Sequence, residues 1–241
     1  MNLGNLIQWP LPIPNDFVSS PLFGLTITLL AFQFGEWAFR KSGRQALVNP
    51  ILIAIVIIGT LLFLTGIPYA SYFAGAQLIH FMLGPATVAL AVPLFAQWKR
   101  LRSMAGPLVI ALLAGSLTAA LSAMGIARLL GASSATVFSL APKSVTTPIA
   151  MGIAEQIGGL ASLTAVFVIL TGIVGSIGFP LLFRVLKIRD HAVQGFAVGL
   201  AAHGMGTARA FLFSEEMGAF SALAMGLNGL LTAVLLPLIF H

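Results

Sequence analysis

The sequence predicts an all-α protein, a polytopic bundle of helices that is integrated in a membrane. Of its 241 residues, 59% are hydrophobic and only 7% are charged, whereas soluble domains carry about 25% charged residues. The apolar runs are continuous and too long for the alternating strands of a membrane β-barrel. We therefore expect about 7–9 membrane segments, some of them broken or re-entrant, within one transmembrane domain that covers residues 1–241.

The basic residues predict the side of the membrane on which the loops lie. They form three short clusters between apolar runs: Arg40, Lys41 and Arg44; Lys99, Arg100 and Arg102; and Arg184, Lys187 and Arg189. Such clusters are typical of cytoplasmic loops under the positive-inside rule and not of a basic nucleic-acid-binding groove. Residues 1–16 contain no Lys or Arg, so a signal peptide is not expected. We expect a multi-pass protein of an inner or organellar membrane with its N-terminus outside.

The membrane spans can be placed in order from these clusters, because about 20 apolar residues cross a bilayer as a helix. The predicted spans are 17–38, 47–65, 81–97, 106–125, 160–183 and 219–240, with an interfacial or partly inserted stretch at 66–80. This path places all three basic clusters on one side of the membrane. It places Glu215 and Glu216 in a loop on the other side.

Two further apolar stretches are interrupted by polar and helix-breaking residues. Residues 129–158 are broken by Pro-Lys-Ser-Val-Thr-Thr-Pro at 142–148, and residues 191–217 are broken by His-Gly-Met-Gly-Thr-Ala-Arg at 203–209. Irregular backbone at membrane depth is tolerated only where protein or a water-filled cavity surrounds it. Broken helices of this kind build the substrate sites of secondary transporters, so the two breaks form the candidate site.

The first break predicts an anion site. Pro142 disrupts the preceding helix, while Thr147 followed by Pro148 is a suitable N-cap and N1 pair for a second half-helix. The free N–H groups at such a helix start favour anions. Glu155 shares a face with Thr147 through i, i+4 spacing, so we expect a titratable carboxylate beside the site.

The second break combines glycines, which permit unusual backbone angles, with His203, Thr207 and Arg209, which we expect to crowd near the loosened turn. An arginine can fork onto a carboxylate, and a histidine can exchange a proton near neutral pH. A weak echo between residues 83–88 and 140–145 hints at an internal, inverted repeat, as transporters often have.

The candidate site residues fall into three roles. The substrate-binding candidates carry a positive charge or a hydroxyl group, and they are Lys143, Ser144, Thr146, Thr147, Arg209, Thr207 and Thr87. The proton-coupling candidates are Glu155 and His203. The hinge candidates are Pro85, Pro142, Pro148, Gly204 and Gly206.

Structural interpretations compete with these roles. Lys143 and Arg209 can also lie at helix ends and extend into the lipid headgroups. Glu155 can be the structural partner of either cation, and His203 can be a hydrogen-bonded structural histidine.

Several chemistries have no support in the sequence. The chain has no cysteine, its histidines lack metal-ligand spacing, and no G-x-x-x-x-G-K-[ST] nucleotide-binding loop is present. No Ser/His/Asp arrangement supports catalysis. We therefore expect no enzyme activity, no cofactor and no metal.

Three runs of the sequence, at 83–94, 142–151 and 202–210, resemble the LrgB/CidB family. The resemblance covers nearly the whole chain, and the Pro-Lys-Ser-Val-Thr-Thr-Pro motif shows no departure. It implies an antiholin-like regulator of murein hydrolase export and cell lysis, paired with a small LrgA/CidA-type membrane subunit. It also implies transport, because a plastid relative is a glycolate/glycerate translocator and some bacterial pairs are linked to pyruvate uptake.

The residues and the resemblance together lead us to expect a secondary transporter of small monocarboxylates of the pyruvate, glycolate or glycerate type, proton-coupled and working by alternating access. The alternative is an antiholin- or holin-like regulator of murein hydrolase export and cell lysis. A non-saturating pore and a structural scaffold also remain open. The expected partners are membrane lipid, a monocarboxylate anion and the small LrgA/CidA-type subunit, in an oligomer, with no nucleic acid.

Overall fold

The structure, a computed structural model, describes residues 20–43, 45 and 48–240, without the side chains of residues 21, 83 and 87. This part of the chain forms eleven helices and no strand, which confirms the all-α prediction. The helices are α1 (Pro21–Lys41), α2 (Pro50–Thr65), α3 (Tyr69–Ala89), α4 (Ala91–Ala96), α5 (Trp98–Ser103), α6 (Ala105–Leu129), α7 (Ser134–Leu140), α8 (Thr147–Gln156), α9 (Ala161–Val185), α10 (His191–Ala210) and α11 (Glu215–Phe240).

Five segments of the described chain are long and apolar enough to cross a membrane: Leu22–Lys41, Tyr69–Ala96, Ala105–Leu129, Ala161–Val185 and Glu215–Phe240. The apolar helix α2 is shorter, with 16 residues. Length and composition therefore confirm a polytopic membrane protein. The stretch at 66–80 is helical from Tyr69 onward and is part of the second of these segments, so the separate span predicted at 81–97 begins too late.

Helix starts follow from local capping chemistry. Asn49 accepts hydrogen bonds from two backbone N–H groups of the first turn of α2, and Asp190 accepts one from Val193 at the start of α10. Ser20 and Ser133 cap α1 and α7 in the same way. Short polar side chains satisfy N–H groups that the helix itself leaves unpaired.

The chain divides into two compact units, Met1–Val88 and Ala89–His241, and one domain over 1–241 stays a prediction. In the first unit, α1 approaches α3 closely enough that a Cβ on Gly24 would overlap backbone atoms of Tyr72. The hydroxyls of Thr28 and Tyr72 lie 2.7 Å apart. Residues 83–88 are helical within α3, whereas residues 141–146 are not helical. The stretches 83–88 and 140–145, which echo each other in sequence, therefore differ in local structure.

The second unit contains two helical hairpins. The first hairpin consists of α7, residues 141–146 and α8. The chain that follows α8 is fastened to the last turn of α7, where Ser139 Oγ accepts from the Leu160 N–H at 2.8 Å. The second hairpin is α10, whose backbone is non-helical at His203. The chain folds back there, since a Cβ on Gly206 would lie 2.7 Å from the Val198 side chain, and the arms are 191–202 and 204–210. The base of this hairpin is closed by a 2.9 Å contact between Ser214 Oγ and His191 Nδ1.

The two hairpins enter the unit from opposite ends of α9. This helix has 25 residues, or about 37 Å at about 1.5 Å per residue. It starts directly after the base of the first hairpin and ends shortly before the base of the second. The first hairpin is followed by the long helix α9, and the second hairpin is followed by the long helix α11. The two pairs run in opposite directions, which is the arrangement of an inverted repeat.

The reversal at His203 corrects the predicted path of the chain. Arg100 binds Asp190 at 2.6 Å and Glu216 at 2.5 Å, so the start of α11 lies at the same end as the second basic cluster. Glu215 and Glu216 are therefore not in a loop on the opposite side. The N–H of Val193 and the charge of Arg100 hold the pKa of Asp190 below its ordinary value of 3.8.

Candidate functional site

The tips of the two hairpins meet at Asn228, which is only 1% exposed. Its Nδ2 donates to the carbonyl oxygen of Ser144 at 3.2 Å and to that of Leu200 at 3.1 Å. Asn228 lies about 20 Å along α11 from Glu215, given about 1.5 Å per residue. One amide therefore holds both hairpins together near the middle of a membrane-spanning helix.

A chain of hydroxyl groups continues from Asn228 toward α6. Thr232 donates to Asn228 Oδ1 at 3.4 Å, and its hydroxyl lies 3.5 Å from that of Ser116. A cavity of about 20 Å³ lies here, lined also by Pro142 and Ser144. This is room for about one water molecule, and the polar groups of Ser116, Ser144, Asn228 and Thr232 lie in a lining that is otherwise apolar.

Lys143 lies at the tip of the first hairpin and is half-buried. Its Nζ donates to Ser144 Oγ at 3.1 Å, and in the described part of the chain no carboxylate pairs with it. A cation at membrane depth is costly without a partner. The ammonium group is therefore available to an anion.

The helix α8 begins at this tip, one residue away from the predicted cap. Thr146 is the N-cap residue, Thr147 is the first helical residue and Pro148 follows it. The Thr146 hydroxyl does not cap the helix, so the first-turn N–H groups are left for another acceptor. The start of a helix carries about half a positive charge, which adds to the charge of Lys143.

His203 forms the tip of the second hairpin and is 4% exposed. Its φ of 41° and ψ of −134° lie in a region that favours glycine. The ring Nε2 contacts the Val168 carbonyl oxygen at 3.0 Å, and because a carbonyl only accepts, Nε2 carries the hydrogen. Lys143 is near enough for its charge to act on His203.

Thr207 anchors the second arm of this hairpin. Its hydroxyl donates to the His203 carbonyl at 2.8 Å and lies 2.9 Å from the Ser221 hydroxyl on α11. The first arm packs on α11 more closely still, since a Cβ on Gly195 or Gly199 would overlap a carbonyl oxygen of that helix. These two glycines form a G-x-x-x-G pattern, which permits such close helix packing in membranes.

Arg209 lies in the last turn of α10, away from the tip. Six residues separate it from His203, or about 9 Å at about 1.5 Å per residue. Its Nε is buried and has no hydrogen-bond partner among the described residues. The expected crowding of Arg209 with His203 at the turn is therefore wrong, although the guanidinium still offers an unused donor.

The LrgB-like family model matches residues 28–241. The chain belongs to the LrgB-like family. It is 36% identical to the uncharacterized protein YwbG of Bacillus subtilis over 216 residues, which cover 90% of this chain and 96% of the relative. It is 30% identical to the antiholin-like protein LrgB of the same organism, over 90% of this chain and 94% of the relative.

An antiholin-like protein LrgB of Bacillus cereus is 28% identical, over 91% of this chain and 95% of the relative. No solved structure matches the chain.

Glu155 of this LrgB-like chain does not lie beside the tip as expected. It is exposed near the end of α8, about 12 Å along the axis from Thr147 at about 1.5 Å per residue. Among the described residues it has no ion-pair partner, so it is not the structural partner of Lys143 or Arg209 either.

The hinge candidates and Thr87 have mixed outcomes. The second hairpin reverses at His203 and not at a glycine, and Gly206 packs against the opposite arm. Pro85 lies inside α3, in the first unit, and the side chain of Thr87 lies outside the described residues. Asn228 was missed by sequence reasoning, although a lone amide within an apolar span is a recognisable signal.

Proposed function

We propose that this LrgB-like chain is a carrier of small monocarboxylate anions in the bacterial inner membrane. The observation that carries the proposal is the meeting of two opposed hairpins at Asn228, beside the uncompensated Lys143. Discontinuous helices whose N-termini point at an anionic substrate are a common site architecture of secondary transporters.

The anion would bind at the tip of the first hairpin. The ammonium of Lys143 and the first-turn N–H groups of α8 would hold the carboxylate. The hydroxyls of Ser144, Thr146 and Thr147 would bind the 2-hydroxyl or keto oxygen, which defines a class that includes pyruvate, glycolate and glycerate.

Binding requires movement of the hairpin tips. The cavity beside the tips, which Ser144 lines but Lys143 does not, has a volume of about 20 Å³. It has room for about one water, which is less than a carboxylate of two or three carbons needs. The tips must therefore separate for the anion to enter, and opposed hairpins allow separation toward one end of the unit at a time. This arrangement supports alternating access as the mechanism of the proposed carrier.

A proton would enter the cycle through His203 rather than Glu155. With Nε2–H donated to the Val168 carbonyl, Nδ1 is the ring atom that can take a proton. Glu155 is exposed and distant from the tip, so its role in coupling has less support.

The second candidate is an antiholin-like regulator of murein hydrolase export and cell lysis, acting with a small LrgA/CidA-type subunit in an oligomer. The names of the relatives from Bacillus subtilis and Bacillus cereus support this candidate more directly than the carrier. The tip geometry supports the carrier.

The test is uptake of labelled pyruvate, glycolate and glycerate into proteoliposomes, with and without an imposed proton gradient. A carrier gives saturable uptake that Lys143→Gln reduces at least tenfold, while Arg128→Gln, which removes an exposed cation from the end of α6, leaves it unchanged. Absence of uptake together with leakage of a trapped dye would reject the carrier and favour the regulator. Equal uptake by Lys143→Gln and the parent would remove Lys143 from the site.

A further inference from the structure

A cavity of about 470 Å³ lies where α9 ends and the second hairpin begins. Four basic or titratable side chains line it: Arg184, Lys187, Arg189 and His191. We call this cavity the basic pocket. Its volume is within the roughly 300–1,000 Å³ of small-molecule sites.

The cations of the basic pocket have no acidic partners in the described part of the chain. Of the acids at this end, Asp190 and Glu216 are bound by Arg100, and Glu215 forms no ion pair among the described residues. The side chains of Arg184, Lys187 and Arg189 form no ion pair there. The pocket therefore presents unneutralised positive charge.

An apolar groove of about 650 Å³ adjoins the basic pocket along α9 and the first arm of the second hairpin. The two share Phe179 and Phe183 in their linings. Small residues such as Gly178 and Ala201 form part of the groove, and the neighbouring Val174 is 70% exposed. The groove is therefore open to the surroundings over much of its length.

We propose that the basic pocket and the groove together bind one anionic phospholipid, with the phosphate headgroup in the pocket and an acyl chain in the groove. Basic pockets between membrane helices bind anionic headgroups. A free phosphate accounts for the pocket but not for the adjoining groove, and an uncharged lipid accounts for the groove but not for the cations. The proposal does not depend on the carrier function.

The lining is held in place by contacts that do not use the cations. Gln194 donates to the Ile188 carbonyl at 2.7 Å, and His191 contacts Ser214 at 2.9 Å. Lys187 has a φ of 55°, a conformation that favours glycine, in the turn that ends α9. Charge-neutral replacements of Arg184 and Arg189 should therefore leave the turn and the hairpin base folded.

The experiment is native mass spectrometry of the full chain in mild detergent, titrated with phosphatidylglycerol or with phosphatidylcholine of the same chain length. The parent should retain one phosphatidylglycerol with at least tenfold preference. Arg184→Gln/Arg189→Gln should lose that preference, and Lys99→Gln/Arg102→Gln should keep it, although it removes the same charge. If both double variants lost the preference for phosphatidylglycerol equally, the proposal would be overturned, because the preference would then come from net charge alone.

A third variant tests the groove. A Cβ on Gly178 meets no atom within 4 Å, so Gly178→Leu fills the groove without disturbing the backbone, and it should weaken phosphatidylglycerol binding at least tenfold. Unchanged binding by Gly178→Leu, or full displacement of the lipid by millimolar inorganic phosphate, would show a phosphate site instead and overturn the lipid assignment.

Discussion

Gly199 lies where the first arm of the second hairpin crosses α11. A Cβ at this position would overlap the Ser221 carbonyl oxygen and lie 2.7 Å from its carbonyl carbon and 2.8 Å from its Cα. These are backbone atoms of a helix, so no side-chain rotation can relieve the overlap. Ordinary contact begins at 3.4 Å, and Gly199→Ala must therefore push the two helices apart.

The expected cost of Gly199→Ala follows from three effects. Overpacking costs about 1–3 kcal/mol, and the shift also weakens the 2.9 Å contact between Thr207 and Ser221, which is worth about 0.5–1.5 kcal/mol. Alanine has a better helix propensity than glycine, which offsets about 0.5–1 kcal/mol of this cost. We expect a net loss of about 2 kcal/mol, within a range of roughly 0.5–4.

Reversible unfolding in mixed detergent micelles measures this free energy directly. The matched control is Gly226→Ala on α11, where a Cβ meets no atom within 4 Å, so the variant should be unchanged or more stable by up to about 1 kcal/mol. If Gly199→Ala and Gly226→Ala have the same free energy of unfolding, the close crossing of the two helices is not what holds the second hairpin.

Three further predictions concern polar groups. Asn228→Leu leaves two buried carbonyl oxygens without their donor and should cost about 1–3 kcal/mol in the same assay; a neutral result would contradict the role of the amide. The pKa of Asp190 is lower in the folded protein than in the unfolded chain. Ionised Asp190 therefore stabilises the fold fully at a pH above its ordinary pKa, and this stabilisation is lost as the pH falls through the pKa of the folded protein. The free energy of unfolding of the parent should therefore fall below about pH 4, and it should fall less in Asp190→Asn. The same dependence on pH in both proteins would exclude a contribution from Asp190. His203→Gly should be more stable than His203→Ala because glycine tolerates φ of 41°, yet both should lose proton-dependent uptake. Uptake with parental pH dependence in His203→Gly would remove the imidazole from coupling.

The positions of both breaks could be predicted from the sequence, because Pro142, Pro148 and the polar run at 203–209 are local signals that act on the backbone where they stand. The start of α8 was predicted to within one residue for the same reason. The class of the fold followed from composition and from the length of the apolar runs.

The direction of the chain after the second break could not be predicted. Residues 191–217 are long enough to cross a bilayer, and the reversal depends on His203. The ring of His203 is held by Val168 on another helix, a contact that the local sequence does not reveal. The assignment of Glu215 and Glu216 to the wrong side follows from that single error.

Two residues show the limit of helical spacing as a guide. The i, i+4 pattern places Glu155 on the face of Thr147 but does not account for its distance along the axis, which puts the carboxylate at the far end of α8. Asn228 has no partner nearby in sequence, since its acceptors lie 84 and 28 residues away.

The side-chain amide of Asn228 has as many N–H donors as there are hairpins to hold. A primary amide nitrogen carries two hydrogens, and both are used, one for each hairpin. If either tip moves by less than the width of a water molecule, one N–H loses its acceptor with nothing in its place, which costs the full desolvation of that group. Small, graded displacements of a tip are therefore unfavourable, and each hairpin is either bound to α11 or fully released from it.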